Sequence, residues 1–148
     1  MSKCTGLLLL STLAVAGARP RSLPLMFEAN LGQAEPGTAF LGRGPGYAIH
    51  FDGAGISLVH GQDIVRMDLQ GATPPRISGN QPQEGRANYF IGNSAQSAQW
   101  ITDVPLYAGI QYSGFYPGVD LSFYSSEGEL EYDFTLAPGA SAATIRLL

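Results

Sequence analysis

Short runs of alternating apolar and polar residues follow one another along most of the chain, separated by stretches rich in Gly and Pro. The clearest two are Val119–Tyr124 and Leu130–Phe134, on either side of the Gly-containing break Ser125–Glu129. Alternation with a period of two is typical of a strand with one buried face, and two such runs around a short break predict a β-hairpin.

The same reading predicts short strands along most of the chain, and no window beyond residue 18 predicts a convincing amphipathic helix. The segment Gly79–Arg86 is interpreted as a loop because it is polar and contains Gly and Pro. The predicted strands are Leu25–Ala29, Thr38–Leu41, Tyr47–Phe51, Gly55–His60, Asp63–Leu69, Arg76–Ser78, Ala87–Ile91, Gln99–Val104, Ala108–Tyr112, Val119–Tyr124, Leu130–Leu136 and Thr144–Leu148.

This pattern predicts an all-β fold of sandwich-like antiparallel sheets. We expect residues 1–18 to be a signal peptide and residues 19–148 to form a single β-rich module. Because Thr144–Leu148 starts a strand pattern that stops with the sequence, we expect a fold truncated at its C-terminus. The module would then be the N-terminal part of a larger domain or protein.

The first 18 residues have the layout of a secretory signal peptide. Lys3 supplies the positive charge, Gly6–Ala16 is an apolar run too short to span a bilayer, and Ala16-Gly17-Ala18 is a small-residue cleavage site. Cleavage would also remove Cys4, so the mature chain would have neither disulfides nor thiolate metal sites. The sequence therefore predicts a bacterial protein that is secreted or held at the cell surface, without a transmembrane segment in the mature chain.

The charge balance argues against nucleic acid as a partner. The chain has 12 acidic and 8 basic residues, and loss of Lys3 with the signal peptide would leave a net charge of −5. Phosphate binding needs clustered positive charge, which scattered arginines on an acidic chain do not provide.

Motifs for catalysis or cofactor binding are missing from the sequence. It contains no G-x-S-x-G or H-E-x-x-H pattern, and His50 and His60 are interpreted as solvated residues near strand ends. The glycine-rich segment 42–46 contains Pro45 and precedes a predicted strand, so it is interpreted as a turn. We therefore predict a non-enzymatic chain with no catalytic residue, no cofactor and no established metal site.

Carboxylates cluster on one predicted strand face. Glu129, Glu131 and Asp133 alternate with apolar residues, while Asp120 and Ser122 lie on the polar face of the preceding strand. The favoured interpretation is a solvated outer face. The alternatives are a cation site, since Ca²⁺ prefers oxygen ligands, and the acid–base pair of a glycosidase.

Aromatic residues are dense in the C-terminal half of the chain, where most are expected to pack in the core. Trp100, Tyr112 and Tyr116 are the candidates for surface exposure. Exposed aromatic rings can serve as stacking platforms for sugars, so these three residues are the candidate contacts of a carbohydrate-binding module, with extracellular polysaccharide as its partner.

Several segments together resemble the N-terminal module of bacterial extracellular proteins that carry SBBP repeats, which are β-propeller-type repeats. The resemblance implies an exported β-rich module, usually followed by further repeat domains, which would be its partners. It implies no enzymatic activity and transfers no catalytic residue. The segments that carry the resemblance are Leu23–Gln33, Phe40–Tyr47, Arg66–Ala72, Asn88–Asn93, Trp100, Val104–Tyr107, Tyr116–Tyr124, Leu130–Phe134, Ala137–Ala140 and Ile145–Leu147.

The sequence therefore favours a non-catalytic, secreted or cell-surface structural or interaction module. A carbohydrate-binding module is the first alternative and a glycosidase-like enzyme the second.

The signal peptide gives the first testable prediction. We expect cleavage between Ala18 and Arg19, because the charged, apolar and small-residue segments occur in the order that signal peptidase requires. N-terminal sequencing of the exported protein should begin at Arg19. A mature species that retains Met1 would contradict this assignment.

Overall fold

The computed structural model describes residues 24–70, 75–92 and 99–146. The predicted signal peptide and part of the predicted C-terminal strand, Leu147 and Leu148, lie outside the described residues. Nine strands and one short 3₁₀ helix form the described fold, so the predicted all-β class is confirmed. The strands are β1 (Phe27–Ala29), β2 (Phe40–Gly44), β3 (Tyr47–Asp52), β4 (Gly55–His60), β5 (Asp63–Asp68), β6 (Arg76–Ile91), β7 (Gln99–Tyr116), β8 (Val119–Ser126) and β9 (Glu129–Leu136), and the 3₁₀ helix is Ala142–Thr144.

All of the described strand pairs are antiparallel. Strands β2 to β5 form a meander, and β1 joins this meander to β7 by pairing with both β2 and β7. Strands β7, β8 and β9 continue the order, while β6 pairs with β7 outside this path.

The 18-residue strand β7 belongs to both halves of the sheet. Strand β6 follows β7 from Ser113 to Gln99. Tyr107 pairs with both β6 and β1, and Ile110 pairs with both β6 and β8, so β1 and β8 must share the other edge of β7. The sheet curls here into two facing layers, because Phe51 of β3 contacts Phe123 of β8 although three strands separate β3 from β8 in the sheet order.

Aromatic side chains fill the space between the two layers. Phe51 of β3 contacts Phe27 of β1 edge-to-face, with ring centroids 5.5 Å apart, and Phe123 of β8 at 5.2 Å. Tyr112 of β7 contacts Phe123 at 5.7 Å. These rings are buried in one cluster that draws on both layers, which gives the sandwich-like arrangement that the alternating pattern predicts.

Two buried tyrosines also connect the layers through their hydroxyl groups. The hydroxyl of Tyr112 lies 3.0 Å from the carbonyl oxygen of Asp52 and 3.2 Å from that of Gly55, at the β3–β4 turn. The hydroxyl of Tyr116 donates to the carbonyl oxygen of Gln70 at 2.6 Å and accepts from the amide of Arg146 at 3.1 Å. Each phenol thus satisfies backbone polar groups while its ring fills the core.

The predicted β8–β9 hairpin is confirmed, and its turn has a clear physical cause. Glu127 and Gly128 are the two turn residues, with φ values of 51° and 89°. Two consecutive positive φ angles are the geometry of a type I′ turn, whose twist matches that of the flanking strands. Glycine at the second position adopts this geometry without steric cost.

Three predictions of local structure are wrong, one of them in part: of the segment 42–46 predicted as a turn, residues 42–44 belong to β2 and only Pro45 and Gly46 form the turn. Gly79–Arg86 is part of β6, because its backbone pairs with β7 and this pairing outweighs a weak local strand preference. Pro82, which lacks an N–H group, lies where the register shifts. Thr144 ends a 3₁₀ helix rather than starting a strand, and the backbone of Arg146 bonds instead to Tyr116 and Gln70.

Replacing Tyr112 by Phe tests the hydroxyl link between the layers. The change keeps the ring contacts and removes one buried hydrogen bond, so we expect the free energy of unfolding to fall by about 1 kcal/mol. Urea denaturation measures this loss. Tyr132→Phe is the control, because Tyr132 is 45% exposed and should tolerate the change. Equal stability of Tyr112→Phe and the parent chain would contradict the link.

Candidate functional site

The outer half of the β6–β7 hairpin extends past the strands that flank its base. We call the paired segments 86–91 and 99–105 the hairpin arm. At its base, β6 advances four residues, from Pro82 to Arg86, while β7 covers two, from Tyr107 to Pro105. A second shift follows at Asp103, whose φ is 61°. Such bulges bend a strand pair and increase its twist.

One side of the hairpin arm covers the outer face of strands β1 and β2. Leu41 of β2 lies on the sheet face that points away from Phe27 and the main core, yet it is fully buried. Ile101 and Val104 of the arm are also buried, and all three lie outside the main core cluster. We infer that the arm closes a second, smaller apolar core on the reverse side of the β1–β2 pair.

A buried carboxylate connects the arm to β1. Glu28 pairs with Leu41 and is only 8% exposed. Its Oε2 accepts a short hydrogen bond from the hydroxyl of Tyr89. The Nε atom of Arg43 donates to the same hydroxyl at 3.1 Å and lies 4.0 Å from Oε1 of Glu28. We call Glu28, Arg43 and Tyr89 the anchor cluster.

The anchor cluster gives the Glu28 side chain the hydrogen-bond partner and the cation that a buried carboxyl group needs. A buried carboxylate is costly unless charge-assisted hydrogen bonds compensate it. The Arg43 guanidinium also lies over the Tyr89 ring, 5.4 Å from its centroid, where a cation is attracted to the ring face. Partial burial and the hydrogen bond to Glu28 raise the pKa of Tyr89, which therefore remains a proton donor at neutral pH.

The other side of the arm faces solvent and carries an aromatic pair. Phe90 and Trp100 are opposite each other in the strand register and meet edge-to-face, with ring centroids 5.6 Å apart. Phe90 is 66% exposed and Trp100 is 73% exposed. Their sequence neighbours Tyr89 and Ile101 point to the anchored side, as strand alternation requires. The aromatic pair is therefore presented on the opposite, open side.

Polar side chains continue this open side toward the base of the arm. Arg86 forms an ion pair with Asp103, with Nε and Oδ1 3.4 Å apart, and both residues are exposed. The Oδ1 atom of Asn88 accepts a hydrogen bond from the Asp103 amide at 3.0 Å. We call Arg86, Asn88, Asp103, Phe90 and Trp100 together the outer arm face. It combines exposed aromatic rings with fixed hydrogen-bonding groups.

A cleft of about 500 Å³ lies beside the anchor cluster. Its walls are mostly apolar and include Leu25, Met26, Tyr47 and Leu106. Glu28 is the carboxylate among its lining residues, and it is already bonded to Tyr89. The two charged residues that line the cleft, Glu28 and Arg43, are therefore used for holding the arm.

Arg66 organises a second polar network, on the outer face of β3 to β5. It bonds to Asp52 at 2.8 Å, to Ser57 at 2.8 Å and to Asp68 at 2.6 Å. Burial alone would raise the pKa of Asp52. Hydrogen bonds from Arg66 and from the turn amides of Ala54 and Gly55 outweigh burial and lower it. Asp52 is thus held as a carboxylate that closes the β3–β4 turn.

The comparisons with known proteins identify a family. Residues 27–148 match DUF7948, a domain of unknown function, along most of the chain. The chain belongs to the DUF7948 family. No curated protein matches this DUF7948 domain, and no solved structure does. Within the described residues, no helix is both long and apolar enough to cross a membrane.

The three aromatic residues predicted as surface contacts have different positions. Trp100 lies at the surface, on the outer arm face. The prediction is wrong for Tyr112, which is fully buried, and for Tyr116, which is 4% exposed. Both phenols bond to backbone carbonyls between the layers, so their rings lie in the core and offer no platform.

The predicted carboxylate face does exist on strands β8 and β9. Glu129, Glu131 and Asp133 are exposed, and Asp133 pairs with Ser122. Asp133 accepts a hydrogen bond from the hydroxyl of Tyr124 at 2.9 Å, which raises the pKa of that tyrosine to about 12.

Asp120 does not join these carboxylates, since its oxygens accept from the Gly114 amide at 2.8 Å and from Gln111 at 3.4 Å. No group of three or more His, Cys, Asp or Glu side chains among the described residues is arranged to hold a metal ion.

Sequence reasoning missed the anchor cluster. Tyr89 is 46 residues from Arg43 and 61 residues from Glu28 along the chain, so no local spacing brings it to them. The one signal available is that Glu28 lies within the otherwise apolar run Leu25–Ala29. A carboxylate within a predicted buried strand demands a partner, although the pattern cannot say which one.

A matched pair of tyrosine variants tests the anchor cluster. Tyr89→Phe removes the hydroxyl donor of buried Glu28, and we expect the free energy of unfolding to fall by about 1.5 kcal/mol. Tyr124→Phe removes the same kind of bond from exposed Asp133 and should cost clearly less. Urea denaturation of both variants makes the comparison. Equal losses would show that Glu28 does not depend on Tyr89.

Calcium tests the alternative interpretation of the carboxylate face. Alternate residues of one strand lie roughly 7 Å apart, too far to share an ion without further ligands. We therefore expect millimolar Ca²⁺ to leave the melting temperature unchanged, and replacement of both Glu129 and Glu131 by Gln to change stability by about 0.5 kcal/mol or less. A calcium-dependent rise in melting temperature that the double variant loses would contradict this expectation.

Proposed function

We propose that this DUF7948 domain is a non-catalytic interaction module of an exported bacterial protein and that it binds its partner through the outer arm face. The observation that carries the proposal is the exposed Phe90–Trp100 pair. Large apolar side chains that lie exposed together mark interaction sites, and this face presents two aromatic rings in contact.

The anchor cluster supports the proposal because it holds the aromatic pair in place. An isolated two-stranded hairpin is at best marginally stable in water. This arm is instead packed against β1 and β2 and bonded to the buried Glu28 carboxylate. Binding would therefore not have to order a flexible hairpin, which lowers the entropic cost of association.

Export and the wider protein are supported from the sequence. Lys3, the apolar run Gly6–Ala16 and the site Ala16–Ala18 have the order of a signal peptide. The resemblance to the N-terminal module of SBBP repeat proteins supports the same location and suggests downstream repeats as neighbours. The match to the DUF7948 family says nothing about export or about downstream repeats.

A glycosidase-like enzyme finds less support in the geometry. Such an enzyme needs two carboxyl groups flanking a substrate, one with a raised pKa. The anchor-cluster cleft offers Glu28, which is bonded to Tyr89. The groove beside Arg66 contains Glu35 and Asp52, but the oxygens of Asp52 already bond to Arg66 and to the turn amides of Ala54 and Gly55.

Binding of the mature chain to cells of the species that encodes it tests the proposed function. The chain is labelled at its amino terminus and the bound fluorescence is measured by flow cytometry. We expect Trp100→Ala to lower the bound signal at least fivefold, because it removes the most exposed aromatic ring of the face. Ile64→Ala is the matched control, since Ile64 is 66% exposed on the distant edge strand β5. Equal binding of the Trp100 variant and the parent chain, or none by the parent, would overturn the proposal.

A further inference from the structure

We propose that the outer arm face binds a neutral polysaccharide, with Trp100 stacking on a sugar ring and the polar side chains binding sugar hydroxyl groups. This inference rests on the proposed function and names the chemical class of its partner. The proposed contacts involve only side chains of the hairpin arm that the structure describes.

The indole of Trp100 has the exposure that stacking on a sugar requires. A sugar ring has a face of C–H groups, and an aromatic ring carries negative charge on its face and positive charge at its edge. The contact with Phe90 is edge-to-face, with an interplanar angle of 86°, so the two rings do not cover each other as a parallel stack would. With Trp100 73% exposed, a large part of its surface is open to a ligand.

The polar part of the face supplies donors and acceptors at regular spacing. Arg86, Asn88 and Phe90 are alternate residues of one strand, so they lie roughly 7 Å apart along the arm. The Arg86–Asp103 ion pair and the Asn88–Asp103 hydrogen bond hold these groups in place before a ligand arrives. Sugar hydroxyls both donate and accept, and they suit guanidinium, carboxylate and carboxamide groups equally.

The size of the face favours a narrow polymer over a protein. The arm is two strands wide and five residues long between Arg86 and Phe90, or about 10 Å by about 15 Å. Stable protein interfaces bury about 800 Å² on each partner, several times this footprint.

Charge indicates that the polymer is neutral. The chain has a formal net charge of −4, and Arg86 on the outer arm face is paired with Asp103. A polyanion would meet general repulsion with no unpaired cation on this face to offset it.

Affinity electrophoresis of the mature chain tests the inference. Native gels are cast with hydroxyethyl cellulose, xylan or galactomannan, and mobility is compared with a gel that contains no polysaccharide. We expect at least one of the three to retard the parent chain, and Trp100→Ala to weaken the apparent affinity at least tenfold. Trp100→Phe should retain part of it, because it keeps an aromatic face. Ile64→Ala should migrate as the parent does.

The outcomes separate this inference from the proposed function. No retardation in any of the three gels, or retardation that Trp100→Ala leaves unchanged, would overturn the polysaccharide assignment. If cell binding still depended on Trp100, the proposed function would stand and the partner would belong to another class. A Trp100-dependent dimer in sedimentation, without retardation, would assign the face to self-association and would also overturn the inference.

Discussion

Strand β7 pairs along one edge with two strands that belong to different halves of the sheet, and the rest of the fold depends on this division. Strand β1 pairs with Leu106 and Tyr107 of β7, while β8 pairs with the segment from Gly109 to Tyr116. The half of the sheet that begins with β1 and the half that begins with β8 therefore leave β7 in different directions. Their apolar faces then meet and bury the aromatic cluster around Phe51 and Phe123. The buried hydroxyl groups of Tyr112 and Tyr116 connect the same two halves through backbone carbonyls.

The length of β7 also produces the hairpin arm. Beyond Leu106 the strand has only β6 as a partner, and a two-stranded ribbon in water is weak. The register shifts bend this ribbon over β1 and β2, where Leu41, Ile101 and Val104 become buried. The bond between Tyr89 and Glu28 then makes the bend a defined geometry, because a buried carboxylate tolerates few alternative arrangements. One side of the arm is thereby fixed, and the other side is left free for binding.

The sequence predicted the strands of the meander and the β8–β9 hairpin well, because each has a local cause. Alternation sets the faces of Tyr47–Phe51 and Val119–Tyr124, and Gly128 supplies the positive φ of the turn. The parts it missed depend on residues far apart in the chain. The segment Gly79–Arg86 is a strand only because β7 lies beside it.

In the candidate site too, features with a local cause were predicted and features that depend on distant residues were missed. The predicted surface position of Trp100 agrees with the structure, and its neighbour Phe90 lies opposite it on the same hairpin. Tyr112 and Tyr116 belong to the core because residues of other strands pack around their rings, and carbonyls of Gly55 and Gln70, more than 40 residues away, accept from their hydroxyls. Glu28 has its role only through Tyr89, 61 residues later. No local sequence pattern spans separations of this length along the chain.

The partly buried hydrogen bond between Tyr89 and Glu28 holds the exposed aromatic face rigidly, and the chain offers a direct probe of this rigidity. Trp100 is the only tryptophan of the sequence, so its fluorescence anisotropy decay reports the motion of the outer arm face alone. In the parent chain we predict that the decay follows the slow tumbling of the whole domain, and that Tyr89→Phe adds a large fast component on the nanosecond scale of loop motion. A parent chain already dominated by fast local motion, or a Tyr89→Phe variant as rigid as the parent, would contradict the account.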